Sequence, residues 1–216
     1  MIEQRSDEWF EQRAGKITAS RMSDVMVERE RGEFKSGPRK GLKKPQPKAL
    51  TDYAHQLAAE RMTMKPRKQV KAPALAWGTT VEPAALAAYQ AETGVIVTPA
   101  GFCTHPDYDF IGASPDFEVD DDGGGEIKCP ESSEVHLETL LNGLPKEHVE
   151  QIQGGLWVRN RKWWDFVSFH PDFPPEHRLY IQRVYRDDEY ISRLEEACLL
   201  LEADVKEILS KLNKEK

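Results

Sequence analysis

Three side chains in two short segments have the types and spacing to do chemistry together. Ser114-Pro115-Asp116 is followed, ten residues after the aspartate, by Glu126-Ile127-Lys128. If the second segment is a strand, its side chains alternate. Glu126 and Lys128 then project to one face and Ile127 to the other, into a core layer. A hairpin joining the segments would bring Asp116 beside Glu126. Carboxylates that close repel unless a cation sits between them. Oxygen ligands of this kind suit Mg2+, which takes about one or two carboxylates and completes its shell with water and substrate phosphate. A lysine on the same face can orient or deprotonate an attacking water and offset charge on a phosphate. Taken without context, an alternating Glu-x-Lys strand also describes a solvated face.

The elements that must position these residues follow from periodicity and breakers. Ser6–Arg13 reads as a short helix stopped by Gly15, and Thr18 as the cap of a second helix running to about Val27. Residues 28–49 form a long basic loop rich in Gly and Pro, and 50–64 carry an apolar helical stripe. A basic, proline-broken stretch follows, then an Ala-rich helix from Thr79 to about Thr93, ended by Gly94. Strands are expected near 95–99, 101–105, 109–113, 116–119 and 125–129, with Asp120–Gly125 as the turn between the last two. Helices at about 133–142 and 146–159, strands at about 163–169 and 178–185, and a helix from Asp187 to about Leu212 complete the chain. The pattern predicts one α/β domain over residues 1–216, a central mixed β-sheet flanked by helices.

Bulk properties narrow the function. The 216 residues suffice for one domain with a substantial core. No apolar run approaches the roughly 20 residues of a membrane span, and the charged N-terminus lacks a signal-like apolar region. Three scattered cysteines, Cys103, Cys129 and Cys198, with no CxxC pair, suggest reduced thiols in a cytoplasmic setting and argue against a structural zinc or iron–sulfur cluster. The net charge is −7, but it is unevenly spread. Residues 29–72 carry 13 Lys/Arg against 4 Asp/Glu, and the rest 17 against 33. A segment of +9 inside a body of −16 reads either as a nucleic-acid track or as a solvated loop.

Further segments resemble one family. Ser114-Pro115-Asp116 with Glu126-Ile127-Lys128 is similar to the PD-(D/E)XK nuclease core. Ile17-Thr18-Ala19-Ser20 preceded by Trp9 and Arg13, Ala74-Leu75-Ala76-Trp77-Gly78 with Glu82, Glu126-Ile127-Lys128-Cys129-Pro130, and Gln151-Ile152-Gln153 with Leu156-Trp157-Val158 resemble, in order, the blocks of the phage lambda exonuclease (YqaJ-like viral recombinase) family. The likeness spans nearly the whole chain except 28–73.

The resemblance implies a Mg2+-dependent 5′→3′ exonuclease on double-stranded DNA. It would release mononucleotides from 5′-phosphorylated ends and leave 3′ single strands for phage-type recombination. It also implies two Mg2+ ions per site, replaceable by Mn2+, a ring-shaped homotrimer, a single-strand annealing protein as partner, and a phage or prophage origin in a bacterial cytoplasm. Asp116, Glu126 and the Ile127 carbonyl would hold metal, with Glu82 an added ligand or water-positioning acid. Lys128 would act on the water, and Gln151 would position water or phosphate. Arg13 and Ser20 would bind the terminal phosphate. Physics separately favours an anion near Ser20 if it opens a helix. Arg29, Arg31 and Arg39 are alternative DNA contacts from the loop, and Leu75 either a wedge at the duplex end or a core leucine. Trp77 reads as packing, and His148 as a helix-surface residue. One departure stands out: Ser133-Glu134-Val135 lies where the family tends to carry a basic residue after the catalytic strand. The rival readings are another PD-(D/E)XK endonuclease and a non-catalytic DNA-end-binding module.

Overall fold

The computed structural model describes residues 4–29, 32–33, 35–67 and 73–214. Helix α1 (Asp7–Arg13) starts at Ser6, whose hydroxyl accepts the Trp9 N–H. Strand β1 (Ile17–Thr18) leads into a 3-10 helix, Ala19–Asp24, where sequence suggested an α-helix to Val27. Met22 is fully buried, and its sulfur lies where a Cβ on Gly154 would stand, 2.2 Å away. The described part of 28–47 has no helix or strand and only isolated bridge residues, among them the Glu33–Lys43 pair.

Helix α2 (Lys48–Thr63) buries Leu50, Tyr53, Ala54, Leu57 and Ala58 of the expected stripe, while Met62, also expected in it, is exposed. Helix α3 runs Pro73–Thr93, starting six residues before the expected Thr79. Proline is favoured at a first helical position, where its missing N–H costs nothing. The internal Pro83 does not end the helix. Gly94, at φ 68°, does.

The meander divides between two sheets. Strands β2 (Thr98–Pro99), β5 (Phe117–Val119), β6 (Gly123–Lys128), β7 (Trp163–Phe169) and β8 (Leu179–Tyr185) form the main sheet in that order. It is mixed, with β6 and β7 parallel and the other pairs antiparallel. Strands β3 (Cys103–Thr104) and β4 (Ile111–Ala113) join β1 in a small second sheet. The break between β4 and β5 is Ser114-Pro115-Asp116. Proline cannot donate to a ladder, so the chain leaves one sheet there and enters the other.

The glycine run corrects the turn reading. Gly123, Gly124 and Gly125 belong to β6, and only Asp120–Asp122 turns. A Cβ on these glycines would meet the rings of Trp163 at 2.1 Å, Trp164 at 2.6 Å and Phe117 at 2.0 Å. The run is glycine because aromatic rings lie flat against the strand, not because the chain reverses.

Helix α3 covers one face of the main sheet through Val81, Ala85 and Tyr89 against Phe117, Ile127, Val167 and Phe169. Helix α4 (Ser133–Asn142) and helix α5 (Val149–Arg159) follow β6, and Ile152 and Leu156 of α5 pack on Trp164 and Phe166 of the other face. Helix α6 (Asp188–Lys214) joins α2, the 3-10 helix and the small sheet in the largest core cluster. The fold is thus mixed α/β with helices on both faces. Among the described residues no helix is long and apolar enough to cross a membrane.

Candidate active site

The hairpin expected from the sequence forms. Gly125 pairs with Phe117 across β5 and β6, and the Asp116 N–H donates to the Gly125 carbonyl at 3.1 Å. Asp116 Oδ2 accepts the Ile127 N–H at 2.7 Å, which fixes the carboxylate against β6. Ile127 itself turns into the α3-side core, while Glu126 and Lys128 share the α5 side. Lys128 Nζ donates to Glu126 Oε1 at 2.7 Å and to Gln151 Oε1 at 3.3 Å. Gln151 Nε2 also donates to Glu126 Oε1. The first turn of α5 therefore closes the site with a side chain that bridges carboxylate and ammonium.

The electrostatics show what this cluster lacks. Burial, followed by the adjacent Glu126, holds the Asp116 carboxyl well above the usual carboxylate range, against the pull of Lys128. Burial alone would lower the Lys128 ammonium, but Glu126, Asp116 and Glu82 outweigh it and raise it. Burial, with Glu82 and Asp116, pushes the Cys129 thiol up to about 12. Asp116 and Glu126 together face the single ammonium of Lys128 on β6. Among the described residues no three His, Cys, Asp or Glu side chains converge as a complete metal cage. A cation using two carboxylates, water and substrate oxygens fits such a set, and Mg2+ has that habit.

Arg13 and Ser20 also meet. Arg13 Nη2 donates to Ser20 Oγ at 3.0 Å, and Nη1 to Ser114 Oγ at 2.9 Å. Ser114 Oγ also accepts the Trp9 indole N–H at 3.1 Å, and the Arg13 guanidinium stands 4.2 Å from the centroid of that indole. Burial lowers the Arg13 guanidinium somewhat, while Tyr53, Glu126 and Glu60 raise it. The helix-dipole argument for Ser20 does not survive, because the element there is a 3-10 helix of 6 residues and Thr18 makes no side-chain cap. The positive group beside Ser20 is the Arg13 guanidinium, not a helix end. One narrow cleft is lined by Arg13, Ser20, Ser114, Glu126 and Gln151, so the Arg13 cation and the Glu126 carboxylate face common space. A second cleft, of about 180 Å3, continues from Arg13 and Ser20 past Lys16, Arg21 and Arg67.

The remaining expectations fare differently. Glu82 lies mid-helix in α3, not in a first turn, and Arg5 Nη2 donates to it at 2.6 Å. Arg29 is tied to Asp204 of α6 at 2.7 Å, so its guanidinium is committed to the fold. Arg39 lies in the exposed loop. Arg31 lies outside the described residues, as does the side chain of Leu75, whose backbone is in α3. Trp77 is packing, its indole N–H donating to the Pro130 carbonyl at 3.1 Å. His148 is not a surface histidine. It stacks on Phe166 at 5.5 Å and is half-buried, and burial and then Lys128 lower its basicity. Glu134 is exposed in the first turn of α4.

Sequence reasoning missed Ser114 as the anchor of Arg13, and Arg67, Arg21 and Lys16 as cleft cations. The helical spacing of Trp9 and Arg13 places the two on one helix face but does not point to Ser114. Nothing local marked the others.

A mixed sheet flanked by helices, with an Asp hairpin beside a Glu-x-Lys strand, defines the PD-(D/E)XK restriction-endonuclease-like fold. Residues 8–162 match the YqaJ-like viral recombinase domain, and the chain belongs to that family. Among solved structures it is similar to an alkaline exonuclease from Laribacter hongkongensis (LHK-Exo), at 34% identity over 97% of both chains with a TM-score of 0.84. The same protein in complex with dAMP matches equally. A phage-related exonuclease from Haemophilus somnus 129PT shares the fold, at 15% identity over 91% of this chain and 96% of that one, with a TM-score of 0.70. No curated protein matches significantly in sequence.

Proposed function

We propose that this chain is a Mg2+-dependent 5′→3′ exonuclease on double-stranded DNA, acting as one domain over residues 1–216. The observation that carries this reading is the shared cleft. Arg13, held by Ser20 and Ser114, opens on the same space as Glu126 and Gln151, and Lys128 donates to both of these. Asp116, Glu126 and the Ile127 carbonyl would hold the metal, with Glu82 as an added ligand. Mg2+, two ions per site and replaceable by Mn2+, would supply polarisation of the phosphate and activation of water.

The chain's own residues do the rest. Arg13 and Ser20 grip the terminal 5′-phosphate and so set which phosphodiester reaches the carboxylates. Gln151, fixed between Glu126 and Lys128, orients the attacking water. Lys128 donates to the phosphate oxygens as charge builds there. Water attacks phosphorus, and the bond to the leaving 3′ oxygen breaks. A mononucleotide departs with the old terminal phosphate, and the next nucleotide keeps a new one. Each turnover therefore regenerates the end that Arg13 recognises. The dAMP complex of the Laribacter hongkongensis protein supports a mononucleotide product.

The 3′ strands left behind would feed phage-type recombination through a single-strand annealing protein. We extend the reading to a homotrimeric ring around DNA, in a bacterial cytoplasm that keeps Cys103, Cys129 and Cys198 as the free thiols seen here. The test is digestion of linear 5′-phosphorylated duplex, linear 5′-hydroxyl duplex and closed circular duplex, each with Mg2+ and with chelator. Loss of the linear phosphorylated form first, only with Mg2+, is expected. Cutting of the circle would point to an endonuclease, and binding of ends without cutting to a non-catalytic module.

A further inference from the structure

The residues just before α1 touch the site from outside. Gln4 Nε2 donates to the Ala100 carbonyl at 3.1 Å and to the Pro115 carbonyl at 2.6 Å. Pro115 directly precedes Asp116. The next residue, Arg5, has φ 69°, a region that side-chain-bearing residues seldom adopt. Gln4 anchors it on one side and the Ser6-capped helix on the other, so this conformation is imposed. It delivers the guanidinium to Glu82, Nη2 donating to Oε2 at 2.6 Å.

Glu82 in turn acts on the carboxylate cluster. It raises the Asp116 carboxyl, the Lys128 ammonium and the Cys129 thiol, and Arg5 opposes it at Cys129. Lys128 pairs with Glu126 and Arg5 with Glu82, while Asp116 accepts the Ile127 N–H. The guanidinium holds Oε2 of Glu82 at 2.6 Å and so draws on the charge this carboxylate would offer a metal.

We propose that Arg5 is a built-in counter-cation that competes with the catalytic divalent ion for Glu82. This rests on the proposed metal-dependent reading. In the metal-free protein Arg5 holds Glu82 and lowers the repulsion within the cluster. As metal enters, Glu82 is handed from Arg5 to the ion, so the segment before α1 sets how readily the site fills.

The test is Mn2+ binding to the full chain without DNA, by calorimetry and by the loss of the free-ion paramagnetic resonance signal. Arg5→Ala should bind Mn2+ roughly two- to fivefold more tightly, the scale of a part-exposed ion pair. Arg5→Gln, closer in length, should do the same, and Arg5→Lys should stay near the wild type. Glu82→Gln should weaken binding, and adding Arg5→Ala to it should change nothing further. Unchanged or weaker binding in both Arg5→Ala and Arg5→Gln overturns the proposal, as does an unaffected Glu82→Gln. Asp116→Asn separates the two levels. If it binds Mn2+ like the wild type, the metal-site reading itself fails. If it loses binding while the Arg5 variants are unchanged, only the Arg5 inference falls.

Discussion

Removing the Arg13 guanidinium should erase discrimination between DNA ends without erasing hydrolysis. In the structure Arg13 uses one N–H on Ser114 Oγ at 2.9 Å and one on Ser20 Oγ at 3.0 Å, and it rests 4.2 Å from the Trp9 ring centroid. A guanidinium has further donors, so it can take a phosphate while staying fixed. A hydrogen bond to a charged group contributes about 1.5–3 kcal/mol. That corresponds to roughly a 10- to 150-fold loss in the rate ratio of 5′-phosphorylated over 5′-hydroxyl duplex in Arg13→Ala. Ser114→Ala removes only a neutral partner, worth about 0.5–1.5 kcal/mol, so the ratio should fall by roughly 2- to 12-fold. Single-turnover cleavage of the two duplexes, with each variant, reads the ratio directly. An unchanged ratio in Arg13→Ala would refute the phosphate assignment. An equal slowing on both ends would mean that Arg13 serves the chemistry or the fold instead. A larger loss in Ser114→Ala than in Arg13→Ala would show that Ser114 does more than aim the guanidinium.

Asp116→Ala, Glu126→Ala and Lys128→Ala should each abolish cleavage while duplex binding by gel shift persists; near-normal activity in any one removes that residue from the centre. Gly125→Ala places a Cβ 2.0 Å from Phe117 Cζ, so overpacking should cost about 1–3 kcal/mol. A melting curve should then drop by roughly 2–12 °C, and a drop within about 1 °C would contradict the ring-on-strand packing. Neutralising Arg39, Lys40, Lys43 and Lys44 together should flatten the salt dependence of duplex binding, by roughly 0.9 in log–log slope for each DNA phosphate they had neutralised. An unchanged slope would return that loop to a solvated role. Acid should weaken the fold at His136, which burial keeps below the usual imidazole range between Ser168 Oγ at 2.8 Å and the His177 carbonyl at 2.9 Å. The depressed group favours folding above its unfolded value and loses that contribution as pH falls. His136→Gln should therefore flatten the acid limb of a stability–pH profile, and an unaltered limb would assign the loss to other groups.

What depends on local spacing was legible in the chain alone. Strand alternation put Glu126 and Lys128 on one side and Ile127 on the other, and the lysine–glutamate contact bears that out. Most helices and strands were legible too, because their apolar periods are regular over many residues. The misreadings fell where local composition and tertiary packing disagree. Three glycines resemble a turn, but the rings of Trp163, Trp164 and Phe117 require them in a strand. The basic, proline-broken stretch suggested a late start for the Ala-rich helix, yet α3 begins at Pro73 and carries Glu82 to its middle. The α-helix expected after Thr18 is a 3-10 helix, with Met22 packed against Gly154 of a distant helix. Only the tertiary structure could decide that Arg29 belongs to Asp204, that Ser114 holds Arg13, and that Arg5 reaches Glu82. These pairs lie 77 to 175 residues apart in sequence. Periodicity carries information over a few turns or strands. Which distant charges become partners is set by how the layers stack, and no local pattern records that.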